Sequence, residues 1–113
     1  MNRNDVLSVL RGQRQRLRSE YGVKSLALFG SIARNQGGQN SDVDLLVEFD
    51  RRISLLDLVG TAQYIETLLN LPEDKVDLVI RDAVIPELKE AIYGEAIDVF
   101  GEREMEVSHS AHS

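Results

Sequence analysis

Hydrophobic and polar positions along the chain switch between a helical period and a strand period, and the switches outline its elements. Over residues 5–20 the apolar side chains Val6, Leu10 and Leu17, with Tyr21 just beyond, fall near one face of a helix. Asn4 is placed to cap it, Gly22 to end it, and Gly12 weakens its middle. Residues 24–29, KSLALF, are short and apolar and read as a buried strand. Gly30-Ser31 ends that strand before a brief helical turn at Ile32, Ala33 and Arg34, and residues 35–41, with no hydrophobic side chain, read as a loop.

Residues 42–49, DVDLLVEF, form a second strand, whose alternation puts Asp42, Asp44, Leu46 and Glu48 on one side and Val43, Leu45, Val47 and Phe49 on the other. Ser54 and Asp57 are spaced as a capping box and open a helix running to about Leu69. Its apolar stripe is Leu55, Leu58, Val59, Ala62, Ile65 and Leu69, and Pro72 prevents its continuation. Residues 75–80, KVDLVI, make a third strand carrying Asp77 among apolar neighbours. Pro86 suits the first turn of a helix ending near Tyr93 and Gly94, and residues 96–100 form a last short strand.

The order helix, strand, short helix, strand, helix, strand, helix, strand predicts an α/β (α+β) fold in which helices cover one sheet. Strand directions stay open. The connection from Phe49 to Lys75 holds a full helix and permits a crossover, whereas the loop from Arg34 to Asp42 is long enough for an antiparallel return. At 113 residues the chain amounts to one domain, expected over residues 1–103, with residues 104–113 a polar, frayed tail.

Composition narrows the classes. With 42% hydrophobic and 28% charged residues the chain is ordinary for a globular protein, and the absence of cysteine removes disulfides, zinc-thiolate sites and thiol catalysis. No apolar h-region opens the chain and no run approaches the ~20 apolar residues that span a bilayer, so cytoplasm is the expected location and no membrane partner is expected. A net charge of −6 repels phosphate backbones on average, so direct nucleic-acid binding is not expected either. Arg11, Arg14, Arg16 and Arg18 crowd the second half of the first helix, with Arg3 ahead of it. The favoured reading is a solvated face near the negative end of the helix dipole; a partner-binding face is the alternative.

The candidate chemistry lies between the first two strands. Asp42 and Asp44 share a strand face about 6.5 Å apart at Cα, close enough for their carboxylates to converge on a cation. Such hard oxygen ligands suit Mg²⁺, which takes one or two carboxylates plus water and substrate phosphate. Asp77, in an otherwise apolar strand where a charge is expensive, is the candidate third member. Gly30, lacking Cβ, lets backbone approach an oxyanion, and Ser31 offers a hydroxyl and an amide. Arg34, one helical turn on, is placed to reach the same phosphates. Either fragment alone is more often a turn or a solvated acidic surface; the combination is far more specific.

These residues resemble a known family. Gly30-Ser31, ten residues, then Asp42-Val43-Asp44, with a third acid at Asp77, is similar to the signature of the polymerase-β-type nucleotidyltransferase superfamily. The GSIAR start, the SDVDLLVEF strand, the closing GEAIDVFG and the small size resemble the minimal nucleotidyltransferases, the MNT antitoxins paired with HEPN ribonuclease toxins. The resemblance spans residues 5–101 and implies a small mixed sheet with the site at one edge. Two Mg²⁺ ions would be held by Asp42, Asp44 and Asp77, with phosphates of the substrate ATP on Gly30 and Ser31. The implied reaction is attack of a hydroxyl on the α-phosphate, with Asp77 orienting or deprotonating the nucleophile. The implied acceptor is a tyrosine of the HEPN toxin in a hetero-oligomer, silenced by AMP. Relatives commonly carry glycine where this chain has Asn35, a residue that tolerates the left-handed conformation.

Two further readings stand beside this one: neutralisation of the partner by contact alone, and transfer to a small molecule, for which the chain looks too short. His109 and His112 read as solvated tail residues, Tyr64 and Tyr93 as packing, and Glu48 as surface.

Overall fold

A computed structural model describes residues 2–36 and 41–100; Gly37, Gly38 and the tail with His109 and His112 lie outside the described residues. The sequence of elements is α1 (Arg3–Gly12), α2 (Arg14–Tyr21), β1 (Val23–Phe29), α3 (Gly30–Ala33), β2 (Val43–Phe49), α4 (Leu55–Leu68), β3 (Val76–Ile80), α5 (Pro86–Glu95) and β4 (Ile97–Asp98), with a 3₁₀ turn at Arg81–Ala83. The sheet is mixed, in the order β3-β2-β1-β4. Strand β1 is antiparallel to β2 and to β4, whereas β2 and β3 run parallel, joined across α4. Both connections left open by the sequence are thereby decided: the loop after α3 makes the antiparallel return and α4 the crossover.

The alternation predicted for β2 holds. Val43, Leu45 and Val47 are buried against Val6, Leu10 and Leu17 of the first two helices and Ile65 of α4, together with Phe100. Leu46 faces the other way, with Ala27, Val84 and the α5 residues Ile92 and Tyr93. Val76 of β3 lies in the first cluster, with Leu78 and Ile80 packed on it, and Val79 in the second. Asp77, two residues before Val79, therefore shares the α5 face with Asp44, two residues before Leu46.

Several local expectations change. The first helix is two helices. Asn2, not Asn4, caps α1 in a reciprocal box with Asp5, and the chain breaks at Gln13, directly after the weak Gly12, before α2 resumes and ends at Gly22 with φ of 69°. Helix α4 has the predicted Ser54–Asp57 box, yet Leu55, Leu56 and Val59 are exposed, and burial is confined to Ile65 and Leu69 at its far end, with Thr61 and Glu66. The first turns of α4 stand off the sheet, and a cleft lined by Leu58, Val59, Ala62, Val76 and Leu78 opens beneath them.

The arginine-rich segment is only in part a solvated face: Arg11 and Arg16 are exposed and Arg14 and Arg18 half-buried, and most of these cations also reach residues 98–100 at the chain's last strand. Arg11 donates through Nε to the Val99 carbonyl at 2.7 Å and through Nη2 to the Asp98 carbonyl at 2.9 Å; Arg14 donates to the Phe100 carbonyl. The Arg18 guanidinium lies 4.8 Å over the Phe100 ring. Arg16 pairs locally with Glu20 one turn on, as expected of a surface cation. Arg11 and Arg14 thus satisfy the carbonyls of residues 98–100, at the end of the short edge strand β4 and just beyond it. The ladder of β4 is shorter than the predicted 96–100, but Val99 continues it by donating to the Leu26 carbonyl, and Val99 and Phe100 are buried.

Candidate active site

The site is assembled at the end of the sheet where β1 stops and β2 and β3 start. Pairing of β1 with β2 sets Phe29 opposite Asp44, so Gly30, the next residue, arrives directly beside that aspartate. The fit demands glycine. Gly30 has φ of 80°, and a Cβ there would overlap Asp44 Oδ2 and lie 3.0 Å from Cγ. The parallel pairing of β2 with β3 sets Asp44 opposite Asp77, one strand spacing of about 4.8 Å away. Residues far apart in the chain are thus brought into one row by strand register, and Asp42 precedes the row on the same β2 face.

Electrostatics record the gathering. The Asp44 carboxyl is pushed up to about 6, first by burial and then by the negative charges of Asp77, Asp42 and Glu95, with the Arg34 cation opposing them. Asp42 is largely exposed and has Lys75 Nζ at 3.7 Å. Among the described residues no three acidic or imidazole side chains are drawn together tightly enough to cage a metal on their own. An open set of carboxylates in one row suits a hard cation that completes its shell with water and substrate oxygens. The donor set fits Mg²⁺, and the missing Cβ at Gly30 is what lets the Asp44 carboxylate lie against the turn.

Two residues of this neighbourhood escaped the sequence reading. Glu95 accepts the Gly30 N–H at Oε2, 2.7 Å away, and pairs with Arg34 Nη1 at Oε1, 2.8 Å away. Burial works against its charge, but those two donors outweigh it and hold the carboxyl below its usual range. A signal existed: an acid in the last turn of a helix opposes the dipole, and so needs donors from elsewhere. Lys75, beside Asp42, is the second. Arg34 is held on its other side by Gln36, whose Oε1 accepts from Nε at 3.0 Å. Asn35 has φ of 60°, the left-handed conformation expected of a residue standing in for glycine. Ser31 lies partly buried in α3, its carbonyl accepting the Gln36 N–H. The three remaining side chains have structural roles. Tyr64 stacks on Tyr21, Tyr93 donates to the Arg81 carbonyl, and Glu48 accepts from Ser25.

Residues 10–99 match the nucleotidyltransferase domain. The chain belongs to that family. This nucleotidyltransferase is 33% identical over 95 residues to protein adenylyltransferase MntA of Thermococcus cleftensis, covering 84% of this chain and 93% of the relative. A solved structure described as a "putative minimal nucleotidyltransferase" superposes with a TM-score of 0.70 at 33% identity, over 86% of this chain and 95% of the other. The fold is also similar to that of a chain in a solved complex of tri-AMPylated Shewanella oneidensis HEPN toxin with MNT antitoxin, with a TM-score of 0.59 at 17% identity over 89% of this chain and 78% of the other. Among the described residues no helix is long and apolar enough to cross a membrane.

Proposed function

We propose that this nucleotidyltransferase transfers AMP from ATP, with magnesium, to a tyrosine hydroxyl of a HEPN-type ribonuclease and acts as its antitoxin. One observation carries the reading. Asp44 and Asp77 stand in register beside a glycine turn whose missing Cβ lets the Asp44 carboxylate lie directly against it. The 33%-identical relative named as a protein adenylyltransferase supports the reaction, and the Shewanella complex supports the kind of partner.

In this reading the phosphates of ATP lie on the Gly30–Ser31 turn, with Arg34 countering their charge. Asp42, Asp44 and Asp77 would hold magnesium, which would supply charge to lower the pKa of the acceptor hydroxyl and to offset that of the departing pyrophosphate. Asp77, at the exposed edge of the row, orients the hydroxyl and receives its proton. The hydroxyl oxygen bonds to the α-phosphorus as the bond to the β-phosphate oxygen breaks, leaving AMP on the partner and pyrophosphate free. The chain's acidic balance suits an acceptor delivered by a protein rather than by nucleic acid.

Purified chain, partner and labelled ATP test this directly. Label should pass to the partner and should be lost with Asp42→Asn or Asp44→Asn. Neutralisation of the partner that survives both substitutions would instead establish silencing by contact alone.

A further inference from the structure

Glu95 occupies the ground that a nucleotide phosphate needs. Its two carboxylate oxygens take the Gly30 N–H at 2.7 Å and the Arg34 guanidinium at 2.8 Å. A backbone amide at a Cβ-less turn together with a guanidinium is a donor pair that suits any oxyanion, carboxylate or phosphate. We infer that Glu95 is a built-in competitor: it fills the phosphate subsite of the free protein, and nucleotide enters only as this carboxylate leaves. The inference rests on the assignment of Gly30 and Arg34 to nucleotide phosphate under the proposed function.

Three features make the exchange workable. The contacts are made by a side chain at the very end of α5, while Ile92 and Tyr93 of the same helix pack against the sheet, so the side chain can move with the helix in place. The pair is not sealed in the core: the side chains of Arg34 and Glu95 are 45% and 25% exposed. Sharing is also unfavourable. Glu95 adds its charge to the Asp42, Asp44 and Asp77 row, and a polyphosphate arriving beside an undisplaced Glu95 would meet a like charge with its donors already taken. The opposing idea is that Glu95 stays in place and holds the turn and Arg34 ready for nucleotide.

Calorimetry of AMP-PNP with magnesium, on the full chain and on Glu95→Gln, separates the two. Glutamine keeps the length but removes the charge that holds Arg34. Competition predicts binding tighter by about three- to tenfold in the variant, the loss of one charge-assisted contact from the free state. Equal or weaker binding by a folded Glu95→Gln would overturn the inference in favour of a positioning role. Should the variant not fold, isotope-labelled wild-type protein decides. The Glu95 carboxyl carbon and the Gly30 amide should shift together during an AMP-PNP titration, and a Glu95 signal that stays fixed while nucleotide binds would overturn the inference. Absence of binding by both proteins would overturn the nucleotide-site reading itself, and the inference with it. Binding by the variant alone would support competition in its strongest form.

Discussion

Strand β1 starts and stops at a glycine with positive φ, and the two ends serve different purposes. Gly22, at 69°, closes α2 by donating to the Leu17 carbonyl, and its own carbonyl accepts from Asp50 across the hairpin at 2.8 Å. A Cβ there would meet Arg51 Nε at 2.7 Å, the far part of a flexible, exposed side chain that is already paired with Asp50. Gly30, at 80°, abuts the carboxylate of Asp44, half-buried and bordered by three further acids. One end neutralises its charges locally. The other collects like charges at a cost in stability, which is the mark of a site arranged for a ligand rather than for folding.

The largest effect should come from Gly30→Ala. Its methyl group displaces the Asp44 carboxylate in a strained backbone, so AMP transfer should fall by at least about a hundredfold. The fold should lose about 1–3 kcal/mol, read by urea unfolding. Gly22→Ala should cost about 1–2 kcal/mol by the same backbone argument, yet leave the transfer rate per folded molecule unchanged. A comparable loss of rate at Gly22 would erase the contrast between the two ends.

Asp44→Asn sharpens it from the opposite side. With its carboxyl raised from 3.8 to about 6, the folded chain holds more protons than the unfolded chain between those values. The stability contributed by the protonated acid is full below about pH 4 and is lost as the pH rises through about 6. Denaturant titrations from pH 4 to 7 should show that decline in the wild type and not in Asp44→Asn. At neutral pH the variant should be more stable by about 1 kcal/mol, a value discounted for the solvent screening of a half-exposed group. It should nonetheless be inactive in transfer. Smallest of all is Arg51→Ala: the Asp50–Arg51 pair is exposed and local, so neither unfolding midpoint nor transfer should change measurably.

The sequence by itself determined the elements and the chemical vocabulary. Alternation in DVDLLVEF assigned each side chain of β2 to a face, the Ser54–Asp57 box opened α4, and a small-residue turn before two spaced aspartates marked the site, because these signals are local in the chain. Local signals marked Gly12 as weak but could not say that the helix breaks there, or that the exposed start of α4 leaves the sheet, since both depend on what the helix meets. Nor could they show that Arg11 and Arg14 cap the carbonyls of residues 98–100, more than eighty positions away. Tertiary structure alone decided that Asp77 stands opposite Asp44 and that Glu95 reaches Gly30 and Arg34. Strand register and helix docking set those meetings, and each arises from burying apolar faces that carry no record of which charged residues they will bring together.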